Sequence, residues 1–244
     1  MNDIHFIFLD TSTTTGSICL FKNETVVGEK ISNFQKSHSE FFNQALSDLL
    51  FAEGIGLKDL KFIATSSGPG SFTGIRVGLS LVKTLSYLYN IPIVAFNSLE
   101  VIALTYLNSK KNSINRDENI FVMTNAFKNM VYFSKFKFNS DGMKTEIDCQ
   151  VVSVDELKNL LIGPGVILGD AFEFYSEISA FSQTVGLIIE NFKFPMASQL
   201  GAQSLVRFLN DESKVWNHVL PLYLKASEAE ENLRKGMLKV GRRI

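Results

Sequence analysis

The chain has 244 residues, 45% of them hydrophobic, with 24 basic against 25 acidic side chains and a formal net charge of -1. That balance excludes a generic polyanion binder, because non-specific nucleic-acid affinity comes from Lys and Arg meeting phosphates, and the length suits one large domain or two compact ones. The amino terminus has neither the basic start nor the long apolar centre of a secretory signal, and Arg76 and Lys83 interrupt the longest apolar helix, so a cytoplasmic chain without a membrane span is expected.

Apolar runs predict strands at Ile4–Leu9, Ser17–Phe21 and Thr25–Ile31, then a helix over His38–Ala52. A strand ending at Thr65, a helix over Phe72–Tyr89, a strand at Pro92–Phe96 and a helix from Ser98 to Leu107 complete the order βββαβαβα. After a polar linker at Asn108–Asn119 the order begins again. Strands are expected at Ile120–Asn125, Val131–Phe138 and Glu146–Val152, and a Ser153-x-x-Glu156 capping box opens a helix to Leu161. Val166–Leu168, a short helix after Asp170, Leu187–Ile189 and a helix over Ala197–Leu209 follow. This duplication predicts two α/β lobes, 1–107 and 119–225, each a mixed sheet covered by helices, and a charged tail at 226–244. In that tail Glu228, Glu230 and Glu231 precede Arg234, Lys235, Lys239, Arg242 and Arg243, which reads as a solvated end. Phenylalanine is abundant at 21 but scattered at strand and helix spacings, and Cys19 and Cys149 fall in apparent strands of different halves, so both types are expected to serve packing.

The most informative stretch is Ser66 to Gly78. An apolar strand enters the turn Gly68-Pro69-Gly70, and Ser71 is placed to cap the helix that follows. A Walker A loop is absent, since Gly68 and Gly74 are one residue too far apart and Ile75 stands where lysine would be. A dinucleotide fingerprint needs glycine in place of Thr73, and a nucleophile elbow needs serine in place of Phe72. A tight strand-to-helix connection and a special binding role both remain open. The apolar positions of the second helix cover an arc of about 200°, and those of the first about 180°, where a surface helix needs about 100°. Something beyond each helix's own sheet should therefore cover the excess. His38-Ser39-Glu40 lacks the cysteine pair of a zinc deaminase and reads as a helix start, and nothing around Ser71 supplies the oxyanion loop of a serine hydrolase.

Phe8-Leu9-Asp10-Thr11-Ser12, His38-Ser39-Glu40, the block from Gly68 through Pro69, Gly70, Ser71, Phe72, Thr73, Gly74 and Arg76 to Gly78, and Pro221-Leu222-Tyr223-Leu224 together resemble the bacterial TsaB (YeaZ) family over nearly the whole chain. The resemblance implies a duplicated actin-like (ribonuclease-H-like) fold. It also implies a non-catalytic accessory subunit for threonylcarbamoyladenosine at position 37 of tRNA, partnered by TsaD and the ATPase TsaE. On the same footing the chain would form a homodimer in isolation, meet tRNA only through the complex, and use no cofactor or metal of its own. Asp10 then marks a possible vestigial nucleotide site. In the second lobe Asn125-Ala126-Phe127 stands where the family commonly has Asp-Ala-Arg. The resemblance further implies that the first two long helices form the partner surface. We expect the contact zone at Phe42, Leu46 and Leu49 with Ile75, Leu79 and Val82, or on the opposite faces of the same helices, with Gly74 and Gly78 permitting close approach. The competing readings are a self-sufficient actin-like ATPase or kinase using Asp10, and a peptidase acting on TsaD.

Overall fold

The computed structural model describes residues 3–33, 38–110, 117–140 and 142–225. The basic residues expected to form a solvated tail at Arg234–Ile244, and the acidic residues before them, lie outside the described residues. The first half consists of β1 (His5–Asp10), β2 (Thr15–Lys22), β3 (Thr25–Asn33), α1 (His38–Glu53), β4 (Leu60–Ser66), α2 (Phe72–Tyr89), β5 (Ile93–Phe96) and α3 (Ser98–Ser109). The second consists of β6 (Glu118–Asn125), β7 (Met130–Asn139), β8 (Gly142–Ser153), α4 (Leu157–Leu160), β9 (Gly165–Leu168), α5 (Ala171–Phe174), α6 (Ser176–Val185), β10 (Ile188–Ile189) and α7 (Gly201–Leu209).

Each half forms a five-stranded sheet, in the order β3-β2-β1-β4-β5 and β8-β7-β6-β9-β10. In both, the first strand pairs antiparallel with the second and parallel with the fourth: Asp10 faces Ser17 and Leu9 faces Thr65, while Asn125 faces Val131 and Val122 faces Leu168. This repeated mixed sheet is the duplicated actin-like α/β fold. Two turn signals are realised as hydrogen bonds. Ser71 Oγ accepts from Gly74 N at 3.1 Å, and Ser153 and Glu156 exchange their capping-box bonds, Ser153 N reaching Glu156 Oε2 at 2.8 Å.

The layers are not confined to their own halves. On one face of the first sheet α1 and α2 bury Phe42, Leu46, Leu49, Ile75, Leu79 and Val82 against Ile7, Leu9, Ile18 and Ile63. On its other face the second half's α7 delivers Leu205 and Phe208 to Phe6, Phe21 and Phe62. Phe21, Phe6, Phe62 and Phe208 form a column with successive ring centroids 4.8, 4.3 and 4.4 Å apart and nearly parallel planes, which accounts for part of the phenylalanine excess. Helix α3 lies between the sheets. Val101 and Leu104 meet the first, while Ile102, Tyr106 and Leu107 meet Ile120, Val122 and Leu168 of the second. Being apolar all round is what a helix sandwiched on two sides requires.

The structure differs from the expected elements in three places, the first being α6 (Ser176–Val185), a second helix where only one short helix after Asp170 was expected. Strand β8 begins at Gly142, four residues before Glu146, because an edge strand with one face in water needs no apolar alternation to pair Met143 and Lys144 with Phe138 and Lys137. The helix expected over Ala197–Leu209 is a 3-10 turn at Ala197–Gln199 and then α7, broken where Leu200 is buried. Cys19 and Cys149 are free thiols, each pushed up by burial, Cys149 to about 12. Among the described residues no helix is long and apolar enough to cross a membrane.

Candidate functional site: the cleft between the sheets

The carboxyl ends of β1, β4, β6 and β9 open onto a cleft of about 740 Å³, the place where open α/β sheets hold ligands. Its first-lobe wall is Ser12–Thr14 and Gly70, Ser71, Phe72 and Thr73; its second-lobe wall includes Thr124–Lys128, Tyr132, Asp170 and Phe174; Leu222, Tyr223 and Lys225 close one side.

The Gly-rich block forms the junction of three segments. Ser71 N donates to Ser12 O at 2.7 Å, so Gly70, at φ +154°, lies against the backbone of Ser12 with no room for a Cβ. Gly74 and Gly78 press on Thr11, whose Oγ1 donates to Gly74 O at 2.8 Å. The close approach expected between subunits is therefore made inside the molecule, between α2 and the β1–β2 turn. Gly68, joined to Pro69 by a cis peptide, accepts from Ser98 N at 2.8 Å, and Leu222 N donates to Ser67 O at 2.7 Å. Two of the sequence motifs thus meet in space, the Gly-rich turn and Pro221–Leu224. Tyr223 packs on Phe72, and Arg76 Nε donates to Tyr223 Oη at 3.1 Å.

Asp10 lies behind the cleft and is completely buried. Its Oδ1 accepts from Ser12 N and Ser12 Oγ, both at 3.0 Å, and its Oδ2 lies 3.1 Å from Ser12 Oγ. Burial raises its pKa to about 6; the nearby Ser66 hydroxyl, which makes no hydrogen bond of normal geometry, and the Ser12 bonds only offset part of that. Asn125 occupies the matching end of β6 and builds the same turn without a charge: its Oδ1 accepts from Phe127 N at 2.8 Å and from Tyr175 Oη at 2.9 Å. Both strand ends thus use an Asx-type turn, which an amide and a carboxylate serve equally.

Asp170 is the carboxylate the sequence reasoning missed. It follows β9, lines the cleft and accepts from Asn125 N at 2.8 Å, and burial holds its pKa above the usual carboxylate range. A carboxylate two residues past a parallel strand was the available signal. Thr124 and Lys225 were also missed. Thr124 is 6% exposed and lines the cleft, and its buried hydroxyl has no hydrogen-bond partner among the described residues, while Lys225 Nζ donates to Ala126 O at 2.8 Å at the cleft's edge. Between them Phe127, Lys128 and Asn129 all take left-handed φ values of 56–58°. A magnesium-bound phosphate is held through one or two carboxylates together with the phosphate oxygens. Among the described residues Asp170 is the one carboxylate that lines the cleft, while Asp10 is sealed behind it.

The six side chains expected at a partner interface need correction. Phe42, Leu46, Leu49, Ile75, Leu79 and Val82 are between 0 and 5% exposed and belong to the core over the first sheet, where no partner reaches them. The open faces of the same helices carry Asn43, Gln44, Ser47 and Phe51 on α1 and Thr73, Ser80, Thr84 and Leu88 on α2. The opposite-face alternative places the interface there. Side chains of His38 and Ser39 lie outside the described residues.

A family model described as TsaD, tRNA N6-adenosine threonylcarbamoyltransferase, matches residues 26–233. The chain belongs to that family. Relatives matched over nearly their full length are named tRNA threonylcarbamoyladenosine biosynthesis protein TsaB. The Bacillus subtilis protein is 28% identical, covering 91% of this chain and 94% of its own. The Escherichia coli protein is 23% identical, covering 94% and 98%. The solved structure of YeaZ from Pseudomonas aeruginosa superposes with a TM-score of 0.77 at 20% identity, over 91% of this chain and all of its own. Within the family, the chain is of the TsaB (YeaZ) type.

Proposed function

We propose that the chain is a non-catalytic scaffold subunit in the formation of threonylcarbamoyladenosine at position 37 of tRNA, acting as the partner of TsaD. TsaE joins the same complex, tRNA is met only through it, and in isolation the chain pairs with a second copy through the open faces of α1 and α2. The observation that carries this reading is the state of Asp10: sealed from the cleft, bonded through both oxygens to Ser12, and matched in the other lobe by the neutral Asn125. Its geometry serves a turn, and the turn holds Thr11 under α2. Support also comes from the names of the full-length relatives, which belong to threonylcarbamoyladenosine biosynthesis.

A second reading, a self-sufficient ATPase, is favoured by Asp170, Thr124 and Lys225 around the cleft. ATP turnover by the purified chain separates the two. The scaffold reading expects no release of phosphate above background; turnover abolished by Asp170→Asn in a folded protein supports the ATPase instead.

A further inference from the structure

On the side of α2 away from the cleft lies a second groove of about 640 Å³, between that helix and the returning C-terminal segment. Its apolar walls are Tyr87, Leu88, Trp216 and Tyr223, all exposed, and the half-buried Pro221. Tyr87 and Trp216 meet edge to face at 5.3 Å yet remain 63% and 40% exposed. Two cations are fixed along it. The Arg76 guanidinium sits 3.9 Å from the Phe72 ring centroid and 5.8 Å from that of Tyr223. Lys83 Nζ donates to Val219 O at 3.1 Å and lies 6.0 Å from the Trp216 ring.

What sets these two apart is the absence of a counter-charge. Among cations of the described residues that sit over aromatic rings, Lys135 and Arg207 also have a carboxylate within ion-pair distance, whereas Arg76 and Lys83 have none, and no Asp or Glu lines the groove. A rigid pair of cations on aromatic faces, beside an open apolar wall, is complementary to a carboxylate-bearing segment with one large apolar side chain. Arg76 and Lys83 are two helical turns apart, roughly 10 Å, which matches acidic residues at i and i+7 of a helix.

We propose that this groove receives an acidic segment of the partner protein, its carboxylates on Arg76 and Lys83 and its apolar side chain between Tyr87 and Trp216. The proposal rests on the reading that TsaD is that partner. Trp216 is the only tryptophan of the chain, so 5-fluorotryptophan incorporated into this protein alone gives a single fluorine resonance inside the groove.

Titration with TsaD from the same genome should shift that resonance, and Lys83→Glu or Arg76→Gln should weaken association about tenfold, as should raising salt, with unchanged melting temperature. A Lys83→Arg variant should retain binding. If TsaD associates while the resonance and the variants' affinities stay unchanged, the groove assignment is wrong and the scaffold reading stands. If TsaD does not associate at all, both fail. If truncation after Lys225 shifts the resonance without TsaD and leaves TsaD binding unaltered, the chain's own acidic segment is the occupant and the proposal is overturned.

Discussion

At the scale of single residues, the small and the charged positions carry the argument. Gly74 and Gly78 were legible as sites of close backbone approach because they lack a Cβ at helical spacing, but what approaches them is set by the β1–β2 turn, which no local pattern encodes. A Cβ at Gly74 meets the Thr11 carbonyl, whereas one at Gly78 meets first the Thr11 side chain, which can rotate. Gly74→Ala should therefore cost more than Gly78→Ala, of the order of 3 kcal/mol against about 1, read from urea unfolding midpoints. Asp10 was legible as a strand-end carboxylate, and its burial was not. Its folded pKa of about 6 lies above the 3.8 of an ordinary aspartate, so between those values the folded state binds more protons than the unfolded one. Its contribution to stability falls as pH rises from about 4 to about 6 and is flat above. Asp10→Asn should remove that slope and gain about 3 kcal/mol at pH 7, since the amide keeps an acceptor for Ser12 without the buried charge; a variant less stable than the parent at pH 7 would show that the carboxylate has a further partner.

At the scale of elements, periodicity located both sheets and the long helices, because burial on one face leaves a repeat of 2 or 3.6 in the residues. It failed where burial is one-sided or interrupted, at the start of edge strand β8 and at Leu200. The broad apolar arcs of α1 and α2 find cover inside the molecule: the two helices share one core, and Val219 of the returning segment joins it. For that reason Leu46→Glu with Leu79→Glu, which would act as wedges at a subunit contact, should unfold the protein, each buried carboxylate costing several kcal/mol. The phenylalanine column makes a complementary test. Phe62 contacts Phe6 on one side and Phe208 on the other, so Phe62→Ala should lose about 3–5 kcal/mol and loosen α7 from the first sheet, seen as faster amide exchange over residues 201–209.

At the scale of the whole molecule, the duplicated element order was readable, and the crossing of α7 to the first sheet was not, because it depends on contacts more than a hundred residues apart, such as Phe62 with Phe208. Cuts at 107 and 119 separate the sheets but not the layers, since α3 serves both sheets and α7 serves the first. Of the cleft's second-lobe side only the Asn125–Phe127 turn was legible; Asp170, Thr124 and Lys225 come together through tertiary folding. The partner surface follows from the same logic. Phe51, 87% exposed, and Leu88, 62% exposed, are the exposed large aliphatic or phenylalanine side chains on α1 and α2, beside Tyr87 and Tyr89. Phe51→Glu with Leu88→Glu should weaken association with TsaD at least tenfold in sedimentation while the melting temperature stays within a few degrees.

The central claim is that this chain supports another subunit's chemistry and performs none itself. Formation of threonylcarbamoyladenosine on tRNA by TsaD and the remaining components, measured with the chain absent, native, or carrying Asp10→Asn and Asp170→Asn together, tests it directly. Product should depend on the presence of the chain and be equal for the native and doubly substituted forms. Loss of product with the folded double variant would contradict the claim, as would product formed without TsaD.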